Sequence, residues 1–249
     1  MPPDRVNFLV GGTQKGGTTA LAEFLSAHPE ICFSRRKEVH FFDNDPLFAG
    51  HQLQYNRYHQ YFNPGESTRA IGEATPSYMY WKSALQRIRH YNPEMKWILI
   101  LRNPVERAYS HYNMEIRENR ENLSFSDAIR IERTRLLHTQ TNQHRVFSYL
   151  DRGYYSKQIK RITSEFPKNQ LITVKTEDLQ HRQTETLELL FDFLGLDKSP
   201  ATEIQPRTIF ASEYEDMPDT DRQYLQETFK QEIEELENLL DWDCTAWKK

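Results

Sequence analysis

Residues 8–19, Phe-Leu-Val-Gly-Gly-Thr-Gln-Lys-Gly-Gly-Thr-Thr, constrain what this chain can fold into more than any other segment. An apolar run ends at Val10. Gly11, Gly12, Gly16 and Gly17 make a tight turn, and Thr18-Thr19 open an apolar-periodic stretch that reads as a helix to Ala27. Strand, turn and helix in that order bring backbone N–H groups and a positive helix end to one point, which is the arrangement that holds a phosphate. A Walker A loop reads G-x-x-x-x-G-K-[ST]; Gly11 to Gly16 has that spacing, but Gly17 follows. The lysine, Lys15, comes one place before the second glycine instead. A phosphate loop of another kind is expected, with Lys15, Gly16, Gly17, Thr18 and Thr19 around the anion. A tight glycine turn with a solvated lysine is the plainer reading of glycine pairs alone, and the register of strand, lysine and threonines outweighs it.

The rest of the pattern alternates strand and helix. Strands are predicted at residues 7–10, 31–33, 95–101 and 171–174. Helices are predicted at 18–27, after Arg102-Asn-Pro104, and at 124–137, 157–166, 184–194 and 220–240. The last carries Leu225, Phe229, Ile233, Leu236 and Leu240 on one face. Residues 34–68 have no long clean period and read as functional loops. The fold class is α/β: a three-layer, P-loop-like fold with a central, mainly parallel sheet flanked by helices. At 249 residues, one domain spanning 1–249 is the simplest organisation.

Composition excludes several classes. A formal net charge of −4 argues against a nucleic-acid-coating protein, so an anion site must be local. Two cysteines, Cys32 and Cys244, do not make a disulfide framework, and a reducing, cytoplasmic location is expected. The start, Met-Pro-Pro-Asp-Arg-Val-Asn, lacks the basic-then-apolar pattern of a signal peptide. Apolar runs fall far short of the ~20 residues of a membrane helix. No Cys/His pattern has metal-ligand spacing.

A second constellation follows the most apolar strand: Arg102-Asn-Pro-Val-Glu-Arg-Ala-Tyr-Ser110. Arginine directly after a buried strand sits at the carboxyl edge of the sheet, where open α/β sheets bind ligands. With Ser110 on the following helix, it suits a second phosphate. A third is Glu38 with His40, whose alternation would point both the same way on an extended backbone. The plainer alternative pairs Glu38 with Lys37 or Arg36 on a loop surface. Tyr55, Tyr58, Tyr61 and Phe62 suit either an acceptor cleft or packing.

Four ordered motifs together resemble the PAPS-dependent sulfotransferase family: Gly12-Thr-Gln-Lys-Gly-Gly-Thr-Thr-Ala-Leu21, Lys37-Glu-Val-His-Phe-Phe-Asp43, Gly72-Glu-Ala-Thr-Pro-Ser-Tyr78 and Leu101-Arg-Asn-Pro-Val-Glu-Arg-Ala-Tyr-Ser110. The resemblance is to the branch holding bacterial and heparan sulfate sulfotransferases, and it continues through Arg152-Gly-Tyr154, Glu177-Asp-Leu179, Phe193-Leu-Gly195 and Trp247. It implies that PAPS is the donor and PAP the product. It implies that Lys15, Gly16, Gly17, Thr18 and Thr19 hold the 5′ side, Arg102 and Ser110 the 3′-phosphate, and Tyr154 the adenine. It also implies Glu38 as general base; histidine is the base in steroid-type relatives, which keeps His40 open as base, orienter or acceptor contact.

This chain departs from the family pattern in two places. Ala74 stands where heparan 3-O-sulfotransferases carry a lysine after the glutamate, and no late Lys-Gly loop is present, leaving Arg207 in Gln205-Pro-Arg-Thr208 as the residue to cover the cofactor. The expected reaction is sulfuryl transfer from PAPS to a hydroxyl or amine of a carbohydrate or other small-molecule acceptor. The rivals are a nucleotide-dependent phosphotransferase, which needs a Walker B-type aspartate after an apolar strand, and a PAP-binding module without transfer.

Overall fold

The computed structural model describes residues 3–50, 54–205 and 214–248. Contacts divide the chain into two compact units: described residues within 1–101 and 161–210 form one, and those within 102–160 and 211–249 the other.

The first unit contains the whole sheet. Its strands are β1 (Phe8–Gly12), β2 (Ile31–Phe33), β3 (Ala70–Ala74), β4 (Lys96–Leu101) and β5 (Leu171–Lys175), in the order β2-β3-β1-β4-β5. Every pairing is parallel. The order reverses between β1 and β4, which creates a switch point at the carboxyl ends of those two strands. The segment leaving β1 there is the Thr13–Gly17 loop.

Helix α1 (Thr18–Ser26) buries Ala20, Leu21, Phe24 and Leu25. They share a core with Phe8 and Val10 of β1, Ile98 and Ile100 of β4, and Leu187, Leu190 and Phe191 of α9 (Gln183–Leu194). Those strand residues alternate, so one sheet face is covered by α1 and α9. From the alternate positions, Trp97 of β4 meets Phe166 edge-on at 5.7 Å. Two short helices, α2 (Asp45–Phe48) and α3 (Asn56–His59), interrupt the otherwise irregular 34–68 region.

Strand β3 and helix α4 (Lys82–Tyr91) are also absent from the predicted set. Strand β3 reads Ala-Ile-Gly-Glu-Ala, with one β-branched residue and a buried glutamate, and carries no strand signal of its own. It is nevertheless central, and it needs Gly72: a Cβ there would lie 2.2 Å from the Phe8 ring. Helix α4 buries Ala84, Leu85, Ile88 and Tyr91 on one face.

The second unit is helical. Helix α5 (Pro104–Arg117) starts with proline at N1 and with the Asn103 side chain accepting from Val105 N–H at 3.0 Å. Helix α6 (Phe125–Leu137) is capped by Ser124. Helix α7 (Tyr155–Glu165) straddles the division between units. The terminal helix α10 (Asp219–Leu240) buries Leu225, Phe229, Ile233 and Leu236, the seam its spacing predicts. A six-residue helix, α8 (Thr176–His181), follows β5 in the first unit.

Candidate active site

In the first unit, the turn from β1 into α1 is built to leave N–H groups open. Gly17, at the N-cap, is left-handed at φ 98, and no side chain caps the helix. The first intrahelical bond runs from Leu21 N–H to Gly17 O (3.1 Å). The N–H groups of the first turn are therefore presented outward with the positive end of the helix dipole. Lys15 also lies in the left-handed region, at φ 68. Gly16 is required sterically: a Cβ would stand 2.7 Å from Ile100 O. The buried Thr176 hydroxyl donates to Gly16 O (2.6 Å) and lies 3.1 Å from Leu101 O, tying the loop to the end of β4. An uncapped glycine cradle beside a lysine fits a phosphosulfate group.

The same unit holds the third constellation, and its geometry differs from the extended one expected. Glu38 and His40 are both left-handed, at φ 53. They nevertheless meet: His40 Nε2 lies 3.2 Å from Glu38 Oε2, and His40 Nδ1 lies 2.8 Å from Asp43 Oδ2. The loop-surface pairing of Glu38 with Lys37 or Arg36 is not found among the described residues. Asp43 is fully buried and also accepts from the Ser77 hydroxyl. The bonds to Asp43 and then Glu38 raise the His40 pKa from 6.5 to about 9, against the opposing effect of burial. The ring is therefore a cation at neutral pH, held between two carboxylates.

Left-handed backbone at two non-glycine residues costs energy and persists only where the surroundings impose it. Glu73 anchors the loop that carries them. It is fully buried on β3, and its carboxyl accepts from Tyr58 OH (2.8 Å), Tyr78 OH (2.9 Å), Thr75 Oγ1 (2.5 Å) and the Val39 N–H. Two of those hydroxyls accept in turn from the loop: Thr75 Oγ1 from His40 N–H (3.4 Å) and Tyr78 OH from Phe41 N–H (3.0 Å). Burial pushes the Glu73 carboxyl above its ordinary value, and the hydrogen bonds from Thr75, Tyr58 and Tyr78 pull it back. Glu73→Ala is expected to cost about 2–5 kcal/mol in urea denaturation, because several buried donors lose their acceptor together. A loss below about 1 kcal/mol, the level of an ordinary substitution, would remove Glu73 from this role.

The charged His40 also predicts a pH dependence. A histidine whose folded pKa is raised stabilises fully below its unfolded pKa and progressively less as pH rises to the folded value. The stability gap between wild type and His40→Gln is therefore expected to be constant below pH 6.5 and to close as pH rises toward 9. Thermal unfolding across that range checks it; a gap that widens toward alkaline pH contradicts it.

In the second unit, Arg102 immediately follows Leu101 of β4 in the chain, and its carbonyl accepts from Tyr155 OH (2.9 Å). Ser110 is buried on α5, at 3% exposure. Tyr154 is half-buried, its ring 5.5 Å from that of Phe229 on α10 and 5.0 Å from Lys157 Nζ. Arg207 lies outside the described residues. The tyrosines of the 55–62 segment divide: Tyr58 is packed between Phe41 (4.8 Å, stacked) and Phe42 (5.0 Å, edge-on), a structural core beneath the 38–43 loop. Asp43, Glu73, Thr75, Ser77 and Thr176 had no role assigned from sequence. Asp43 stands in the motif that contains Glu38, and Glu73, Thr75 and Ser77 stand in the Gly72–Tyr78 motif; membership of those motifs was the available signal.

The all-parallel sheet carries a glycine-rich, non-Walker loop at its switch point. The family model for the sulfotransferase domain matches residues 5–238, and this chain belongs to that family of transferring enzymes. A sulfotransferase from Alicyclobacillus acidocaldarius is similar in structure, with a TM-score of 0.82 at 28% identity, covering 99% of this chain and 100% of that one. In sequence the chain is 25% identical to the membrane-associated sulfotransferase kil1 of Dictyostelium discoideum over 95% of its length and 65% of kil1. It is 31% identical to human heparan sulfate glucosamine 3-O-sulfotransferase 3B1 over 76% of its length and 46% of that protein. The chain thus spans roughly half to two thirds of these curated relatives. Among the described residues, no helix is long and apolar enough to cross a membrane.

Proposed function

We propose that this chain moves a sulfuryl group from PAPS to a hydroxyl, or an amine, of a carbohydrate or other small-molecule acceptor, with Glu38 as general base. One observation carries the proposal: Thr18 and Thr19, which open the uncapped helix, line the same hollow as Glu38. A proton acceptor and an anion cradle then face one space. PAPS is the donor substrate and leaves as PAP. The acceptor oxygen bonds to sulfur as the bond from sulfur to the 5′-phosphate oxygen breaks; that oxygen keeps the electron pair, and the acceptor proton passes to Glu38. Lys15 and the open N–H groups of α1 steady the developing charge, and His40 holds the Glu38 carboxyl in place. Arg102 and Ser110 take the 3′-phosphate, and Tyr154 the adenine.

The family match crosses both compact units, which supports one sulfotransferase domain made from the two. Cys32 and Cys244 are free thiols, in keeping with a cytoplasmic setting. The phosphotransferase alternative wants an aspartate where Arg102 follows the apolar strand. Calorimetric titration with PAP, with magnesium–ATP and with buffer alone tests the donor: saturable heat for PAP only is expected. Binding of magnesium–ATP with none for PAP would overturn the donor assignment, and PAP binding without transfer to any acceptor would leave only a binding module.

A further inference from the structure

The hollow that joins Thr18 and Thr19 to Glu38 has a second wall that the transfer step does not use. Phe33 and Ala74 give it apolar lining; Arg35 and Lys37 line it from the loop side, and the exposed carboxylate of Glu23 lines it from α1. At about 250 Å³ it falls below the ~300–1,000 Å³ of pockets that enclose a whole drug-sized ligand, so it takes one ring-sized unit of an acceptor.

Three consecutive cations, Arg35, Arg36 and Lys37, precede the base in a chain whose net charge is −4. A solvated charged loop is the ordinary reading of such a run, and two features depart from it. First, the run is sorted by direction. Arg36 reaches Tyr61, donating to its hydroxyl at 3.1 Å with the guanidinium 5.6 Å from the ring centre, while Arg35 and Lys37 on either side line the hollow. Second, Arg35 is braced by one N–H to Gln60 O (2.5 Å), and a guanidinium has further donors to offer. Lys37 is exposed and makes no ion pair among the described residues. A prepaid arrangement of donors beside a negatively charged base favours a substrate whose own negative charge is offset from its reacting hydroxyl.

We infer that this hollow is the acceptor subsite and that it selects a hydroxyl-bearing ring carrying a carboxylate, read by Lys37 and Arg35 across the apolar lining of Phe33 and Ala74. The inference rests on the sulfuryl-transfer reading and adds the acceptor's chemistry to it. The apolar lining receives the ring face, the two cations receive the carboxylate, and the hydroxyl is left toward Glu38.

The test uses matched acceptors that differ only in the charged group: p-nitrophenyl glucuronide against p-nitrophenyl glucoside, and 4-hydroxybenzoate against its methyl ester. PAPS is the donor, and PAP affinity is measured in parallel. Wild type is expected to prefer the acid of at least one pair by about tenfold in kcat/KM, the size of one partly exposed charge-assisted contact. Lys37→Glu is expected to erase or reverse that preference, read as the acid-to-neutral ratio of kcat/KM and carried by KM, with PAP affinity within about twofold of wild type. Arg35→Ala should weaken it in the same direction. Equal use of both members of each pair, a preference that survives Lys37→Glu, or PAP binding with no transfer to either acid overturns the inference and leaves the donor assignment standing. Failure to bind PAP at all removes the transfer reading itself, and the inference with it.

Discussion

Replacing Lys15 by alanine is expected to leave a folded protein that transfers sulfuryl groups ~10²–10³ times more slowly, the usual loss when one preorganised donor to developing charge is removed. The substitution isolates charge from loop shape. Lys15 is already left-handed at φ 68, and alanine, which also has a Cβ, meets the same backbone strain. The half-buried lysine lies in the turn between β1 and α1, so its removal leaves no cavity in the sheet core. Denaturation midpoints should stay close to wild type while single-turnover rates collapse. Lys15→Arg retains a cation and should recover part of the rate, though a planar fork does not reproduce a compact ammonium. Gly16→Ala provides the contrast: its Cβ would meet Ile100 O at 2.7 Å, so that variant should lose rate and stability together. Near-normal turnover of Lys15→Ala would remove the lysine from the reaction.

Legibility in the sequence followed the strength of the local signal. The strand Trp-Ile-Leu-Ile-Leu and the amphipathic α10 announce themselves by apolar run and period, and the structure has both within a residue or two. Strand β3 was illegible because its place is set by packing: Gly72 is chosen by the Phe8 ring, 64 residues earlier, and the buried Glu73 by the hydroxyls of Tyr58, Thr75 and Tyr78, which no strand pattern encodes. Among the candidate residues, Glu38 and His40 were found by motif. Alternation points the two the same way on an extended backbone; their contact instead arises from two left-handed residues, a conformation that side-chain alternation does not encode. Asp43 and Ser77 escaped for the same reason as Glu73: one imposes its role from inside the core on a loop far along the chain. Thr176 sits 160 residues from the glycine it holds. Long-range hydrogen bonds of this kind leave no periodicity to read.

Glu38→Gln is expected to lower kcat by ~10²–10⁴, the range associated with a positioned general base, with PAP affinity within about twofold of wild type. Glutamine keeps the length of the side chain, and its carbonyl oxygen can still accept from His40 Nε2–H across the 3.2 Å gap. The loop should therefore hold its shape while losing the group that takes the proton. His40 is the competing base, and pH separates the two. With a pKa of about 9, the imidazole is deprotonated in about one molecule in a hundred at pH 7, so a histidine base predicts a rate that climbs through pH 9. If Glu38 is the base and cationic His40 its support, the rate should instead fall as pH rises through 9, because the ring stops holding the carboxylate. The same assignment predicts that His40→Gln flattens that alkaline limb while retaining more activity than Glu38→Gln. An inactive His40→Gln beside an active Glu38→Gln, with a rate rising toward pH 9 in wild type, would transfer the base role to the histidine. Asp43 would then be the carboxylate that orients it, through the 2.8 Å contact at Nδ1.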